Sequence, residues 1–162
     1  MSAASASSAA GASALPGALP GALPFIDSHA VSVDAPAERV WDAVGEVAAR
    51  AFGTPATATF ARVIGCADTA VVPGDGDDLP ASVVGFHLAA ARRPTLIALE
   101  GSHRFARYEL RFVIEPGTLR AETRAAFPGL AGSVYRALVI GTGGHVIVTR
   151  RLLRAIKRRA ER

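Results

Sequence analysis

The sequence predicts an α+β fold in which an antiparallel β-sheet, wet on one face, is covered on the other by a long amphipathic C-terminal α-helix. Three observations carry this expectation. Residues 82–127 contain four alternating segments bounded by turn residues, SVVGFHLAAA, TLIALEG, RFARYELRFVIEP and TLRAETRAAF, which is the pattern of consecutive antiparallel strands. Around Pro116–Gly117, a register in which paired residue numbers sum to 233 sets Arg111 opposite Glu122 and Glu109 opposite Arg124, while Leu110, Phe112 and Ile114 face Thr123, Ala121 and Leu119. One face is then ionic and the other apolar, and a slip of one residue destroys both patterns. Finally, Val134, Leu138, Gly141, His145, Val148, Leu152 and Ile156 recur at helical steps that Arg150, Arg151, Arg154, Lys157, Arg158 and Arg159 all avoid.

Taken in order, residues 1–24 carry no charged side chain and repeat ALPG, so they are expected to be a disordered tail ahead of a single domain over residues 25–162. This segment lacks the basic start and unbroken apolar stretch of a secretory signal. FIDSHAVSV, residues 25–33, reads as a strand. DAPAERVWDAVGEVAARAFG follows, with Asp34 or Ala35 as cap, Pro36 in the first turn and Val40, Trp41 and Val44 at helical spacing. Gly45 and Gly53 punctuate one or two short helices, and Trp41 is expected in the core. ATATFARVIG, residues 56–65, reads as a strand from its β-branched content, and PGDGDDLP, residues 73–80, as a loop. Asp75, Asp77 and Asp78 in that loop do not have calcium-loop spacing, so no metal site is expected there.

Two further hairpins complete the sheet. Centring one on Ser102–His103 makes paired numbers sum to 205, which sets Tyr108 opposite Ile97 on the apolar face. Carrying a sum of 187 through Arg92–Thr95 brings Phe86 and Leu88 to that face and turns His87 outward, whereas a three-residue loop reverses His87.

Composition bounds the rest. The chain has 162 residues, of which half are hydrophobic and 20% charged, with a formal charge of +4. Residues 150–162 hold seven basic side chains and one acid, a net of +6, so the preceding 149 residues sum to −2. The basicity thus belongs to the end of one helix, and a nucleic-acid role is not expected. Cys66 is the single cysteine, which excludes an intrachain disulfide and a multi-cysteine zinc site. A cytoplasmic location is expected. The charge-free run between Arg136 and Arg150 is 13 residues long, too short to cross a bilayer. GTGGH within it has neither the lysine of a phosphate loop nor the spacing of a dinucleotide fingerprint, so no cofactor is expected. It belongs to a helix from about residue 129 or 130 to the chain end, where the glycines permit either a kink or a close approach.

The order strand, short helices, antiparallel strands and long final helix resembles the START-like or SRPBCC superfamily, the helix-grip fold. VSVDAPAERVWDAV resembles the strand, proline turn and Val-Trp helix that open many of its members. RYELRFVIEP, AETRAAFPG and the helix after Gly129 take the places of its last hairpin and closing helix. The resemblance covers residues 25 to about 160 and implies a curved sheet gripping the helix around an apolar cavity. It has no invariant catalytic signature, and its members range from non-catalytic carriers to cyclases and dehydratases.

The register arithmetic independently nominates the wall of such a cavity: Phe86, Leu88, Ile97, Leu99, Leu110, Phe112, Leu119 and Phe127 from the sheet and its flank, with Leu138 on the helix. The inward polar exceptions are Tyr108 and Thr123 on the sheet and His145 and Thr149, one turn apart on the helix. An apolar pocket with a few convergent polar groups suits a small hydrophobic molecule. Glu100, His103 and Arg104 read as a charged hairpin turn or as a polar cavity rim. Three functions compete. The first is a non-catalytic carrier; the second is a cyclase or dehydratase using His145 and Tyr108 for proton transfer; the third is contact with an anionic membrane surface through the basic helix end.

Overall fold

The computed structural model describes residues 23–74 and 79–162. The expectations for the N-terminal tail before Leu23 and for the Asp75, Asp77 and Asp78 turn lie outside the described residues. A six-stranded antiparallel sheet is formed by β1 (Phe25–Ser32), β2 (Ser82–Val83), β3 (Phe86–Arg92), β4 (Leu96–His103), β5 (Ala106–Glu115) and β6 (Thr118–Ala126), in the spatial order β1-β6-β5-β4-β3-β2. Helices α1 (Ala37–Phe52) and α2 (Pro55–Ile64) follow β1. The chain closes with α3 (Gly129–Arg136), a π turn (Ala137–Gly141) and α4 (Gly144–Ala160). This is the α+β, helix-on-sheet arrangement that the sequence predicts.

The β5–β6 pairing is the expected one, with Glu109 opposite Arg124, Leu110 opposite Thr123 and Phe112 opposite Ala121. The charged face is less open than expected, because Glu109 is only 4% exposed and pairs with Arg111 on its own strand. The β4–β5 hairpin corrects the expected register. It turns at Arg104–Phe105, pairs His103 with Ala106, and sets Tyr108 opposite Gly101 rather than Ile97. The slip is four residues, an even number, so every side chain keeps its face. Its cause is steric: a Cβ at Gly101 would overlap the Tyr108 ring and the Gly85 carbonyl. Gly101→Ala is therefore expected to cost about 1–3 kcal/mol in denaturant unfolding, and an unchanged midpoint would contradict this account of the register. Between β3 and β4, a three-residue turn pairs Arg92 with Leu96, and an irregularity between Leu88 and Ala90 restores the pairing of His87 with Glu100. His87 consequently faces outward, where it bonds Asp68 at 3.1 Å.

Residues 56–65 are not a strand. Pro55–Ile64 is helical because Thr54 caps it, its side chain accepting from the Thr57 N–H, with Pro55 in the first turn and Gly65 in the left-handed conformation at its end. The β-branched residues that suggested a strand conceal a helical period in Thr57, Phe60, Ala61 and Ile64. Helix α1 runs unbroken through Gly45, so the division falls at Gly53.

The C-terminal helix also departs from expectation, being bent rather than continuous. Gly143 is left-handed at φ 72°, a conformation that glycine adopts without strain, and Thr142 Oγ1 donates to the Leu138 carbonyl at 2.6 Å. No atom lies within 4 Å of a Cβ built on Gly141 or Gly143, so the glycines serve the bend rather than a close approach. A single helical phase does not survive a π turn followed by a left-handed residue. Before the bend the inward residues are therefore Tyr135 and Val139, while Val134 and Leu138, expected inside, are 62% and 63% exposed. Val148, also expected inside, is exposed as well. After the bend, Thr149, Leu152, Leu153 and Ile156 are buried.

Helices α1 and α4 fill one end of the concave face. Trp41, Val44, Ile97, Phe112, Leu119, Leu153 and Ile156 form the centre of one apolar cluster there. Arg159 holds α4 to α1 through both oxygens of Glu46, and Lys157 donates to the Ser32 carbonyl at 2.6 Å. The far end of the basic helix is thus tied to the domain rather than free.

Candidate functional site

The other end of the concave face is open. A cavity of about 260 Å3 lies between α2, the ends of β5 and β6, and the bent C-terminal segment. Helix α2 contributes Thr57, Phe60, Ala61 and Ile64. Phe86, Tyr108, Leu110, Thr123 and Ala125 come from the sheet, and Tyr135, Val139, Ile140 and His145 from the C-terminal segment. Phe52, Cys66, Val84, Gly85, His103, Ala106 and Phe127 also line it, as does Glu109, which is paired with Arg111.

Of the residues nominated from the sequence, Phe86, Tyr108, Leu110, Thr123, Phe127 and His145 are together on this wall. Ile97, Leu99, Phe112 and Leu119 are buried in the solid cluster instead, and Leu88 packs against it. Register arithmetic assigns a face of the sheet, and α1 and α4 decide how much of that face is already occupied. Thr149 is 4% exposed, and its hydroxyl donates to the His145 carbonyl. Leu138 points to solvent.

Two polar groupings face the cavity. In the first, His145 Nε2 lies 3.0 Å from Thr123 Oγ1 and 3.3 Å from Asp27 Oδ1. The second Asp27 oxygen lies 3.3 Å from His29 Nε2. Asp27 faces inward because β1 pairs it with Thr123. Its carboxylate favours a proton on His145 Nε2, which leaves Nδ1 as the basic atom.

The second grouping is aromatic. The Tyr108 hydroxyl donates to the Gly85 carbonyl at 2.8 Å and lies 3.8 Å from Cys66 Sγ. Burial pushes the Tyr108 phenol far above its usual range and raises the Cys66 thiol, so both keep their protons at neutral pH. His103 Nδ1 accepts from the Phe105 N–H at 3.1 Å, so its proton sits on Nε2. Its ring lies edge-on to Tyr135, with centroids 4.7 Å apart.

Tyr108 and Thr123 are diagonal neighbours across β5 and β6, a relation that separates Cβ atoms by roughly 7–8 Å. The two groupings therefore lie on the same face of the sheet and line one volume.

Burial lowers the pKa of His103 below its ordinary 6.5, so the unfolded chain takes up that proton before the folded one does. The contribution of His103 to stability is whole above the unfolded-state pKa and declines as pH falls below it. The melting temperature is expected to drop more steeply from about pH 7 to about pH 5 in the native chain than in His103→Gln. Equal slopes would contradict the neutral, buried assignment.

Several wall residues carry sequence signals that had competing readings. His103 belongs to a segment that also reads as an ordinary charged turn. The α2 residues are hidden by their β-branched neighbours, and Tyr135 and Val139 by the change of phase at the bend. Asp27 was legible only as part of an alternating strand.

No protein-family model matches the sequence, and no curated protein matches it. Among solved structures, the di-domain ARO/CYC BexL from the BE-7585A biosynthetic pathway is similar, with a TM-score of 0.50 and 17% identity over 84% of this chain and 50% of BexL. The chain thus spans about half the length of BexL. Protein Ms6760 from Mycobacterium smegmatis (TM-score 0.41, 13% identity, 83% of this chain and 95% of that one) and CalU16 from Micromonospora echinospora (0.31, 15%, 83% and 81%) are further matches. With the sheet order and closing helices described above, the likeness to BexL identifies the fold as the helix-grip fold. Among the described residues, no helix is long and apolar enough to cross a membrane.

Proposed function

We propose that this chain binds a small hydrophobic molecule in the cavity between α2, the sheet end and the bent C-terminal segment, and that it does so without catalysing a reaction. The observation that carries this reading is a cavity wall that is almost wholly apolar, with polar exceptions already engaged. Tyr108 is committed to Gly85, His145 to Thr123 and Asp27, and one nitrogen of His103 to Phe105. Such groups orient a guest and do not exchange protons freely. Native mass spectrometry of the gently purified chain, with titration by the neutral solvatochromic dye N-phenylnaphthylamine, tests it. A co-purifying apolar ligand or saturable dye uptake is expected; the absence of both would overturn the reading.

A second reading, a cyclase or dehydratase of polyketide type, is favoured by one feature. Asp27 stands behind His145, an arrangement that makes an imidazole a competent base. Here His145 would move the proton and Asp27 would position it, while Tyr108, its proton held by Gly85, would orient the substrate. The fold does not choose between the readings. His145→Phe and Asp27→Asn separate them. Under the binding reading both variants keep dye affinity within about threefold, a change worth under ~1 kcal/mol, and they leave a bound polyketide-like compound unaltered. Conversion of that compound by the native chain and not by His145→Phe would establish the enzyme.

A further inference from the structure

The C-terminal segment that walls the cavity through Tyr135, Val139, Ile140 and His145 carries apolar side chains on its exposed side that no part of the described chain covers. On α3 and the π turn, Leu130, Val134 and Leu138 follow one another at four-residue steps and are 89%, 62% and 63% exposed; Ile147 and Val148 on α4 are 53% and 58% exposed. Across the cavity, Phe60 lines it while remaining 56% exposed. Isolated apolar residues on a surface are ordinary, but a run along one helical segment beside a cavity marks a contact surface.

The charges around this surface decide what it contacts. Residues 51–67, which contain α2, and residues 123–160, which contain α3, the π turn and α4, have no aspartate or glutamate at all. Every charged side chain on these segments is basic. Arg62, Arg136, Arg150 and Arg151 are exposed and make no ion pair among the described residues. Further along α4, Arg159 and Lys157 are engaged by Glu46 and Glu161, while Arg154 and Arg158 are exposed and make no ion pair among the described residues, so unpaired positive charge runs along α4 from the cavity end.

We propose that the mouth of the cavity docks on an anionic bilayer surface. Leu130, Val134 and Leu138 enter the boundary between headgroups and acyl chains, and Arg136, Arg150 and Arg151 meet lipid phosphates. Apolar insertion and arginine–headgroup attraction are the two components of interfacial binding. A second copy of this chain fits less well, because it would bring a like-charged rim against this one. The proposal is independent of what fills the cavity.

The test is co-sedimentation of the full chain with phosphatidylcholine vesicles prepared with and without phosphatidylserine. Partition onto the phosphatidylserine vesicles is expected, falling steeply with salt as the arginine contribution is screened. It should weaken at least about tenfold in Arg150→Glu/Arg151→Glu and in Val134→Glu/Leu138→Glu. All four positions are exposed, so circular dichroism should show both variants folded. Equal partition onto both vesicle types, no partition, or partition unchanged in the variants would each overturn the proposal. So would a concentration-dependent dimer that Val134→Glu/Leu138→Glu abolishes, in a chain that ignores vesicles. A variant whose cavity is plugged, Val139→Trp, should still sediment with the vesicles, which separates failure of docking from failure of ligand binding.

Discussion

Replacing Phe112 with alanine is expected to destabilise the domain by about 3–5 kcal/mol, among the largest effects available to one substitution in this chain. Phe112 is 0% exposed, stands between Ile97 and Ala121 on neighbouring strands, and belongs to the cluster formed with Trp41, Val44 and Ile156. Deleting the ring removes its transfer free energy and leaves a void that α1 and α4 close only in part, since both are held by many other contacts. A typical domain has only about 5–15 kcal/mol to lose. The variant should therefore show a large shift in urea midpoint with the slope retained, while any remaining folded fraction binds dye as the native chain does. A loss below about 1 kcal/mol would mean that Phe112 faces adaptable space, and the division between solid core and cavity would be misplaced.

Val139→Trp should have the opposite profile. Val139 lies on the cavity wall and is partly exposed on the π turn, so an indole there enters open volume without displacing packed neighbours. In a cavity of about 260 Å3, that ring takes much of the room a guest needs. Dye affinity is expected to fall by about 100-fold, or roughly 2.7 kcal/mol, with the unfolding midpoint unchanged or raised because apolar surface is newly buried. Titration of the dye against both proteins reads this directly. Undiminished affinity would place the dye elsewhere.

Together the two substitutions show which part of the site is legible in the sequence. The period of two in residues 82–127 assigns faces, and those assignments hold on β5 and β6 even where the β4–β5 register moves by four residues, because faces depend only on parity. Depth along the sheet is another matter. Ile97, Phe112 and Leu119 share a face with Tyr108, Leu110 and Thr123, and only the seating of α1 and α4 makes the former core and the latter cavity wall. That seating depends on contacts far apart in sequence, such as Arg159 with Glu46.

Local chemistry hides the rest for different reasons. In α2, Thr54, Pro55 and Gly65 are start and stop signals, yet Thr57, Thr59, Val63 and Ile64 weigh toward a strand when propensity is read alone. At Gly141–Gly144 the composition announces a weak point, and the geometry of the break depends on the π turn and the left-handed Gly143. His145 keeps its inward direction on the far side of the bend, where Thr123 and Asp27 hold it, whereas Leu138 on the near side does not. Asp27 pairs with Thr123 through β1, a strand nearly a hundred residues away in the chain. No local pattern could have placed that carboxylate behind the histidine.

The most direct measurement is methyl NMR of the isoleucine- and valine-labelled chain during titration with N-phenylnaphthylamine. The account predicts saturable shifts at Ile64, Val139 and Ile140 on the cavity wall, with Ile97, Ile114 and Ile156 in the packed cluster unmoved. Saturable shifts centred on the packed cluster, or no saturable shift at any of these methyls, would contradict it.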